Sequence, residues 1–437
     1  MQPEQIVPRE GPLSMRRRLE RRLLLPCAIA FACATAALAQ EPQQASVGVT
    51  AQRPKIGLVL SGGGARGGAH IGVLKALEEL RVPVDYVAGT SIGAVVGGFY
   101  VSGMSVTDLE QLVESLEWEA AFLNVTPRQL KSFRRKRDDD SFLVNQKPGL
   151  NDGEFELPIG LIQGQVIDMI ISRETLRASQ VQNFDQLAIP FRAVAGDLAT
   201  GDAVVLGTGS LARAIRASMS IPAALSPMEI DGRLLVDGGI AMNLPVDVAR
   251  DMGADVVIAV DISSELLNRD TLRSVLDVTS QLTNLLTRNG TLQQRAKLTS
   301  SDVLLVPKFG EELTSTDFTR MRETIQTGYD AVMQNRADFE RLSLSEEQYA
   351  AYLAARRDPR MRDLPVVDFV RLQNKGPVAD SVVEARLGAI EIGAPLDVDA
   401  VERAMNTVYG LDYYQNVRYG LVSDSRGTRI AVVLGPR

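Results

Sequence analysis

Tyr86-Val87-Ala88-Gly89-Thr90-Ser91-Ile92-Gly93 is a short apolar run that breaks into a G-x-S-x-G pentapeptide. Two glycines beside a serine relieve crowding around a sharp strand-to-helix turn. Such a turn pushes Ser91 Oγ out of the sheet at a helix N-terminus, where a developing alkoxide gains roughly 0.3–1 kcal/mol. A Ser-His-Asp hydrolase takes the serine proton on an imidazole, which follows the nucleophile in α/β-hydrolase chain order. This sequence has a single histidine, His70, and it precedes Ser91. Either the pentapeptide is a decoy or the base is a carboxylate.

Upstream, the apolar run Lys55–Leu60 leads into Ser61-Gly62-Gly63-Gly64-Ala65-Arg66-Gly67, and the apolar spacing of Ile71–Leu80 fits a helix. Successive glycines leave backbone N–H groups without side-chain cover, and the following helix adds its positive end, so the loop suits an anion. Phosphate and oxyanion fit equally well. Gly62, Gly64 and Gly67 also satisfy the dinucleotide spacing, a weak signal that wants an acidic residue at the end of the next strand, whereas Asp85 stands at its beginning. A P-loop fails because no Lys-Ser/Thr follows the glycines. Two glycine-rich strand-helix turns within thirty residues, each suited to half of acyl-transfer chemistry, favour the oxyanion reading.

Downstream, Leu234-Leu235-Val236 is an apolar strand that ends at Asp237-Gly238-Gly239. It reads either as a plain turn or as a carboxylate aimed into a site. An ordinary aspartate, with a pKa of about 3.9, is a poor base, so desolvation beside Ser91 is required to raise it.

Taken in order, Gly62–Gly67, Gly89–Gly93 and Asp237–Gly239 resemble the three signature blocks of the patatin-like phospholipases. The likeness extends through Ala195–Gly201 and Ala217–Pro222 and covers about Lys55 to Ser343. The resemblance implies a lipid acyl hydrolase of phospholipase A or lysophospholipase type that works without calcium or any cofactor. It makes Ser91 the nucleophile, Asp237 the base, Gly62, Gly63 and Gly64 the oxyanion donors and Arg66 the supporting cation. Phospholipid or lysophospholipid is then the substrate, met peripherally at a membrane surface.

Further strands are expected at Phe191–Ala195, Ala203–Leu206, Val256–Val260 and Val303–Val306, and helices at Leu211–Ala217, Val246–Asp251, Leu272–Thr287 and Thr319–Arg341. This alternation predicts an α/β fold, a three-layer α/β/α domain around a mostly parallel sheet. A capping box at Ser345–Gln348 opens a connecting helix. Beyond Leu364 the pattern turns to strand Val366–Leu372, helices Asp380–Leu387 and Asp397–Tyr409, and strands Gln415–Val422 and Thr428–Leu434. That tail resembles a polypeptide-transport-associated (POTRA) domain, notably at Ile392–Asp397 and Tyr409–Val417. A patatin-like domain followed by such a module is the order of patatin-like autotransporters, in which an outer-membrane barrel comes next. Unfolded polypeptide or an outer-membrane barrel is the partner this implies. The expected division is leader 1–39, linker 40–54, hydrolase domain 55–343, connecting helix 344–364 and POTRA-like domain 365–437.

Arg16, Arg17, Arg18, Arg21 and Arg22 precede an apolar stretch, Leu23–Leu38, that ends in Ala37-Leu38-Ala39, the pattern of an export signal. A membrane anchor fits less well, because the run is short and holds Pro26. The expected location is therefore the periplasm, the outer membrane or outside the cell. Both cysteines, Cys27 and Cys33, lie inside this leader. Removing residues 1–39 takes away six arginines and three glutamates and moves the net charge from −7 to −10. An acidic chain argues against nucleic acid as a partner.

His70 reads as a packing or hydrogen-bonding residue rather than a third catalytic group. The run Lys131–Arg137 reads as a solvated loop or as a contact for anionic lipid headgroups. Ile159–Ile162 and Val166–Ile171 suit either an acyl-chain groove or the core. Two other classes compete with the hydrolase: a non-catalytic module that binds polypeptide by strand addition, and a dinucleotide-dependent enzyme.

Overall fold

The computed structural model describes residues 53–118, 121, 149–151, 154–156, 163–222, 224–263, 266, 269–273, 275–310, 313–356, 364–411, 413–424 and 427–436. The leader, nearly all of the linker, the basic run Lys131–Arg137 and Ile159–Ile162 lie outside the described residues. The strands in chain order are β1 (Ile56–Leu60), β2 (Tyr86–Thr90), the hairpin β3 (Gly149–Asn151) and β4 (Glu154–Glu156), β5 (Phe191–Asp197), β6 (Ala203–Leu206), β7 (Met228–Ile230), β8 (Arg233–Asp237), β9 (Val256–Val260), β10 (Val303–Leu305), β11 (Phe369–Asn374), β12 (Tyr414–Asp424) and β13 (Gly427–Pro436).

Eight of them form the central sheet, ordered β10-β9-β1-β2-β5-β8-β7 with β6 paired to β5 outside that row. The run from β10 to β5 is parallel, while β6 and β8 pair antiparallel with β5, and β7 pairs antiparallel with β8. Buried parallel strands read as unbroken apolar runs because both faces are covered. Alternate residues of β1 and β9 divide accordingly. Leu58, Leu60, Ile258 and Val260 face one core with α1 (Gly68–Glu79), α2 (Ile92–Val101) and α3 (Val106–Ser115), whereas Val59, Val257 and Ala259 face another with the helix Val246–Asp251. The expected α/β fold with a mostly parallel sheet is what the chain adopts.

Two helices lie between the site and the tail: α4 (Gln165–Glu174) and α5 (Leu211–Ser218). The tail follows the order strand, two helices, two strands, and its sheet runs β11-β13-β12. Val401, Met405 and Val408 pack there against Val417, Ile430 and Val432, and Met169 and Leu176 from the α4 region join the same cluster. At Val417 the buried Gln165 amide donates to the carbonyl (2.6 Å) and accepts from the N–H (2.8 Å), the two bonds a neighbouring strand would make.

Several boundaries differ from the sequence expectation. The helix expected over Thr319–Arg341 is a 3-10 turn at Phe318–Arg320 followed by helices Glu323–Gln334 and Arg336–Glu340. They divide at Asn335, whose side chain donates to Ala331 O (2.8 Å) and competes with the helical ladder. The helix expected from Leu272 runs instead over Val275–Arg295. The first strand of the tail begins at Phe369, and Val366 forms only an isolated bridge to Pro395. The capping box at Ser345–Gln348 is present, and a second at Ser105–Asp108 opens α3. No described helix is long and apolar enough to cross a membrane.

Candidate functional site

Strand register sets the level of the site. Thr90 stands opposite Val194 on β5, and Ala195, one residue further, stands opposite Asp237 on β8. Ser91, the residue after Thr90, therefore reaches the height of Asp237. Its backbone has φ 55° and ψ −125°, a conformation that costs a non-glycine residue of order 1–3 kcal/mol. The surroundings enforce it. A Cβ at Gly93 would fall 2.2 Å from Leu60 O, and one at Gly89 would fall 2.5 Å from Gly93 O, so β1, β2 and α2 close on this turn only when both positions are glycine.

Ser91 Oγ donates to Asp237 Oδ2 at 2.5 Å, and the other carboxylate oxygen accepts from Gly239 N at 2.8 Å. Ser91 and Asp237 are 8% and 5% exposed, so the pair is almost wholly withdrawn from water. Burial pushes the Asp237 carboxyl up to about 6, against the two hydrogen bonds, which pull it down. Its base form is therefore available at neutral pH and its conjugate acid is not far away, which suits proton transfer in both directions.

The glycine loop lies against Ser91, for a Cβ at Gly62 would stand 3.1 Å from Ser91 Cβ. Gly62 N–H donates to Asn243 O at 3.3 Å. Among the described residues neither the Gly63 nor the Gly64 N–H finds an acceptor. Gly64 has φ 58°, and a Cβ there would fall 2.1 Å from Ser315 O. The guanidinium of Arg66 donates to Ser263 O and Leu313 O (3.1 Å each) and lies over the Phe309 ring at 5.2 Å. It ties the loops that flank the glycine turn.

His70 is fully buried in α1 with Nε2 2.8 Å from Ser61 O. A carbonyl oxygen only accepts, so Nε2 carries the hydrogen. Desolvation drives the imidazole down to about 4, so it stays neutral. Asp197 turns its carboxylate onto the N–H of Ala199 within the β5–β6 turn.

Three contributors are invisible to local pattern. Ser218 Oγ accepts from Ser91 N (2.9 Å) and donates to Val194 O (2.5 Å), while Ser220 O accepts from Asp237 N (2.8 Å), so one short segment fixes both members of the pair. Asn243 Nδ2 donates to Ser263 Oγ (2.8 Å) and Gly62 O (3.4 Å). The block Ala217–Pro222 is recognisable as a motif, but its hold on Ser91 is a contact across 127 positions of sequence, and Asn243 has no flanking signal at all.

No group of three or more metal-ligating side chains occurs among the described residues. What the arrangement offers is a hydroxyl held on a carboxylate of raised basicity, next to backbone donors at a glycine turn.

The family model described as patatin-like phospholipase matches residues 58–250. Patatin-like phospholipase domain-containing protein 6 of Mus musculus is 37% identical over 213 residues, 48% of this chain and 14% of that protein. Neuropathy target esterase sws of Drosophila melanogaster is 35% identical over 212 residues, 48% of this chain and 13% of that protein. This chain thus spans about one seventh of the length of these curated relatives. Among solved structures, VipD from Legionella pneumophila is 14% identical at a TM-score of 0.36, covering 70% of this chain and 74% of that one. By the family match and these relatives, residues 58–250 are similar to a patatin-like phospholipase domain.

Proposed function

We propose that this protein hydrolyses acyl esters of phospholipids or lysophospholipids, with Ser91 as nucleophile and Asp237 as base. The observation that carries the reading is the 2.5 Å hydrogen bond from Ser91 Oγ to Asp237 Oδ2, made where burial raises the carboxyl to about 6.

In the first half-reaction Ser91 Oγ attacks the ester carbonyl carbon while Asp237 takes the hydroxyl proton. The carbonyl oxygen becomes an oxyanion facing the glycine-turn amides. Gly63 and Gly64 have their N–H groups open, whereas Gly62 shares its own with Asn243. Collapse breaks the bond to the alcohol oxygen, which leaves with the proton from Asp237. In the second half-reaction Asp237 deprotonates water, the hydroxide attacks the acyl-Ser91 carbonyl, and the fatty acid departs as Ser91 recovers its proton. The α2 dipole adds to the stabilisation at Ser91.

An apolar cavity of about 60 Å³, bordered by Ile92, Val96, Ile167, Ile171, Met219 and Phe318, adjoins the site. Ile92 and Met219 directly follow Ser91 and Ser218 in the chain, and we assign this cavity to the start of the acyl chain. The proposed reaction gives every step to a protein group and assigns none to calcium.

The test is reaction with a fluorophosphonate probe. Wild type is expected to be labelled at Ser91 and to release fatty acid from phosphatidylcholine vesicles, with EDTA leaving the rate unchanged. Absence of labelling would point instead to a polypeptide-binding or dinucleotide-binding module.

The remaining parts of the proposal concern place. We assign residues 1–39 to export and the tail to a POTRA-like role beside the outer membrane, supported by its strand-helix-helix-strand-strand order. A processed N-terminus at Gln40 in a periplasmic or surface fraction is the expected result.

A further inference from the structure

We infer that Arg418, on the C-terminal sheet, is a positioning residue for the Ser91–Asp237 pair, acting through a buried chain of charges and hydrogen bonds that crosses α4 and α5. The kinetic consequence rests on the hydrolase reading above; the mechanical one does not.

The chain begins at β12, where Arg418 Nε donates to Asp168 Oδ2 at 3.1 Å. The other oxygen of Asp168 lies 2.7 Å from Arg216 Nε, with the two side chains 7% and 3% exposed. That N–H is not aimed at the oxygen, so the contact is charge attraction. From α5, Arg216 sends Nη1 to Ser220 Oγ (2.6 Å) and Nη2 to Ser226 O (3.3 Å). Ser220 then holds Asp237 through its carbonyl, and Ser218 holds Ser91 through its hydroxyl. The route from Arg418 to Asp237 consists of direct contacts, and the branch to Ser91 leaves it along the main chain from Ser220 to Ser218.

Two further features indicate that this chain is built. Gly164, at φ 78°, stands where a Cβ would fall 2.7 Å from Arg216 Nη2, so a side chain at this position would push the guanidinium aside. Gln165 fixes the backbone of Val417 with two hydrogen bonds and thereby sets the next residue, Arg418, against Asp168.

The electrostatics give the chain its leverage. One buried carboxylate serves two guanidinium groups, and removing one partner of a buried ionic set leaves the remainder to rearrange. Without Arg418, Asp168 is free to swing wholly onto Arg216 and draw that side chain from Ser220. The segment Ser218–Ser220 then loses its restraint, and the Ser91–Asp237 geometry loosens. A misplacement of about 1 Å far from the reacting atoms costs up to about a hundredfold in rate.

The experiment uses the full chain with Arg418→Gln, Arg418→Lys and Asp168→Asn. Turnover of a soluble p-nitrophenyl ester and the rate of fluorophosphonate labelling report on chemistry without a membrane. Hydrogen exchange of the segments 86–95 and 233–240 reports on positioning without catalysis. Arg418→Gln is expected to lower kcat and the labelling rate by about 10- to 100-fold, to leave KM within about twofold and to speed exchange in both segments. Asp168→Asn should behave alike, and Arg418→Lys should recover a substantial part of kcat. Unchanged exchange and unchanged kcat would overturn the inference, as would a lowered melting temperature with kcat intact. If wild type neither labels nor turns over, the hydrolase reading fails, and the exchange data alone then decide whether Arg418 positions the pair.

Discussion

Ser91 and Asp237 share a 2.5 Å hydrogen bond although 146 residues separate them, and each is nearly sealed from water. The contact costs backbone strain at Ser91 and the desolvation of a carboxylate at Asp237. Both costs are offset by the surrounding fold and become chemical leverage at the hydroxyl.

Replacing Asp237 by Asn keeps an oxygen able to accept a hydrogen bond but removes the proton acceptor. The kcat of Asp237→Asn should fall roughly 10²- to 10⁴-fold, the usual range for a general base, with KM little changed. The same variant should be more stable at neutral pH. The folded-state value of about 6 lies above the ordinary 3.8, so the stability contributed by this carboxyl is complete below about pH 4 and is lost as pH rises through 6. A gap of about two units corresponds to about 3 kcal/mol. Melting curves should show Asp237→Asn above wild type at pH 8 and level with it at pH 4; equal melting temperatures at pH 8 would refute the desolvation account.

The pH profile follows from the same group. With Asp237 as the proposed base, catalysis would need the ionised form, so log(kcat/KM) on a soluble ester should climb with unit slope and level off above about pH 6. A midpoint near 4 would mean that the carboxyl is not desolvated in solution.

The glycine turn is sensitive for steric reasons. A Cβ at Gly63 would fall 2.5 Å from Ile262 O, so Gly63→Ala must displace the loop and its open N–H groups. Loss of an oxyanion donor costs about 10²- to 10³-fold in kcat. Gly310→Ala, where a Cβ meets nothing within 4 Å, serves as the control and should keep full activity.

His70 anchors α1 to Ser61 and is held neutral by burial. His70→Gln should keep most esterase activity, since the amide can donate to the same carbonyl. A loss as deep as that of Ser91→Ala would bring an imidazole back into the chemistry.

The parts legible from the sequence are those with short-range signatures. The apolar runs at Ile56–Leu60 and Val256–Val260 fit strands buried on both faces, and glycines at 89 and 93 mark a turn that excludes Cβ atoms. What escaped depends on contacts across the fold. The clasp of Gln165 on Val417, the Arg216–Asp168–Arg418 set and the double role of Ser218 involve residues that look ordinary in their own neighbourhoods. The break at Asn335 escaped for another reason, because the apolar period continues through it while one side chain competes for the backbone.

The grip of Gln165 on Val417 bears on any partner of the tail. An incoming β-strand zips onto a sheet by meeting a continuous row of free donors and acceptors. On β12 that row is already interrupted mid-strand by a side chain of the same molecule. On the POTRA-like reading proposed above, a guest polypeptide recruited by augmentation is expected along the opposite border, Phe369–Asn374, leaving the flank nearest Gln165 to intramolecular use.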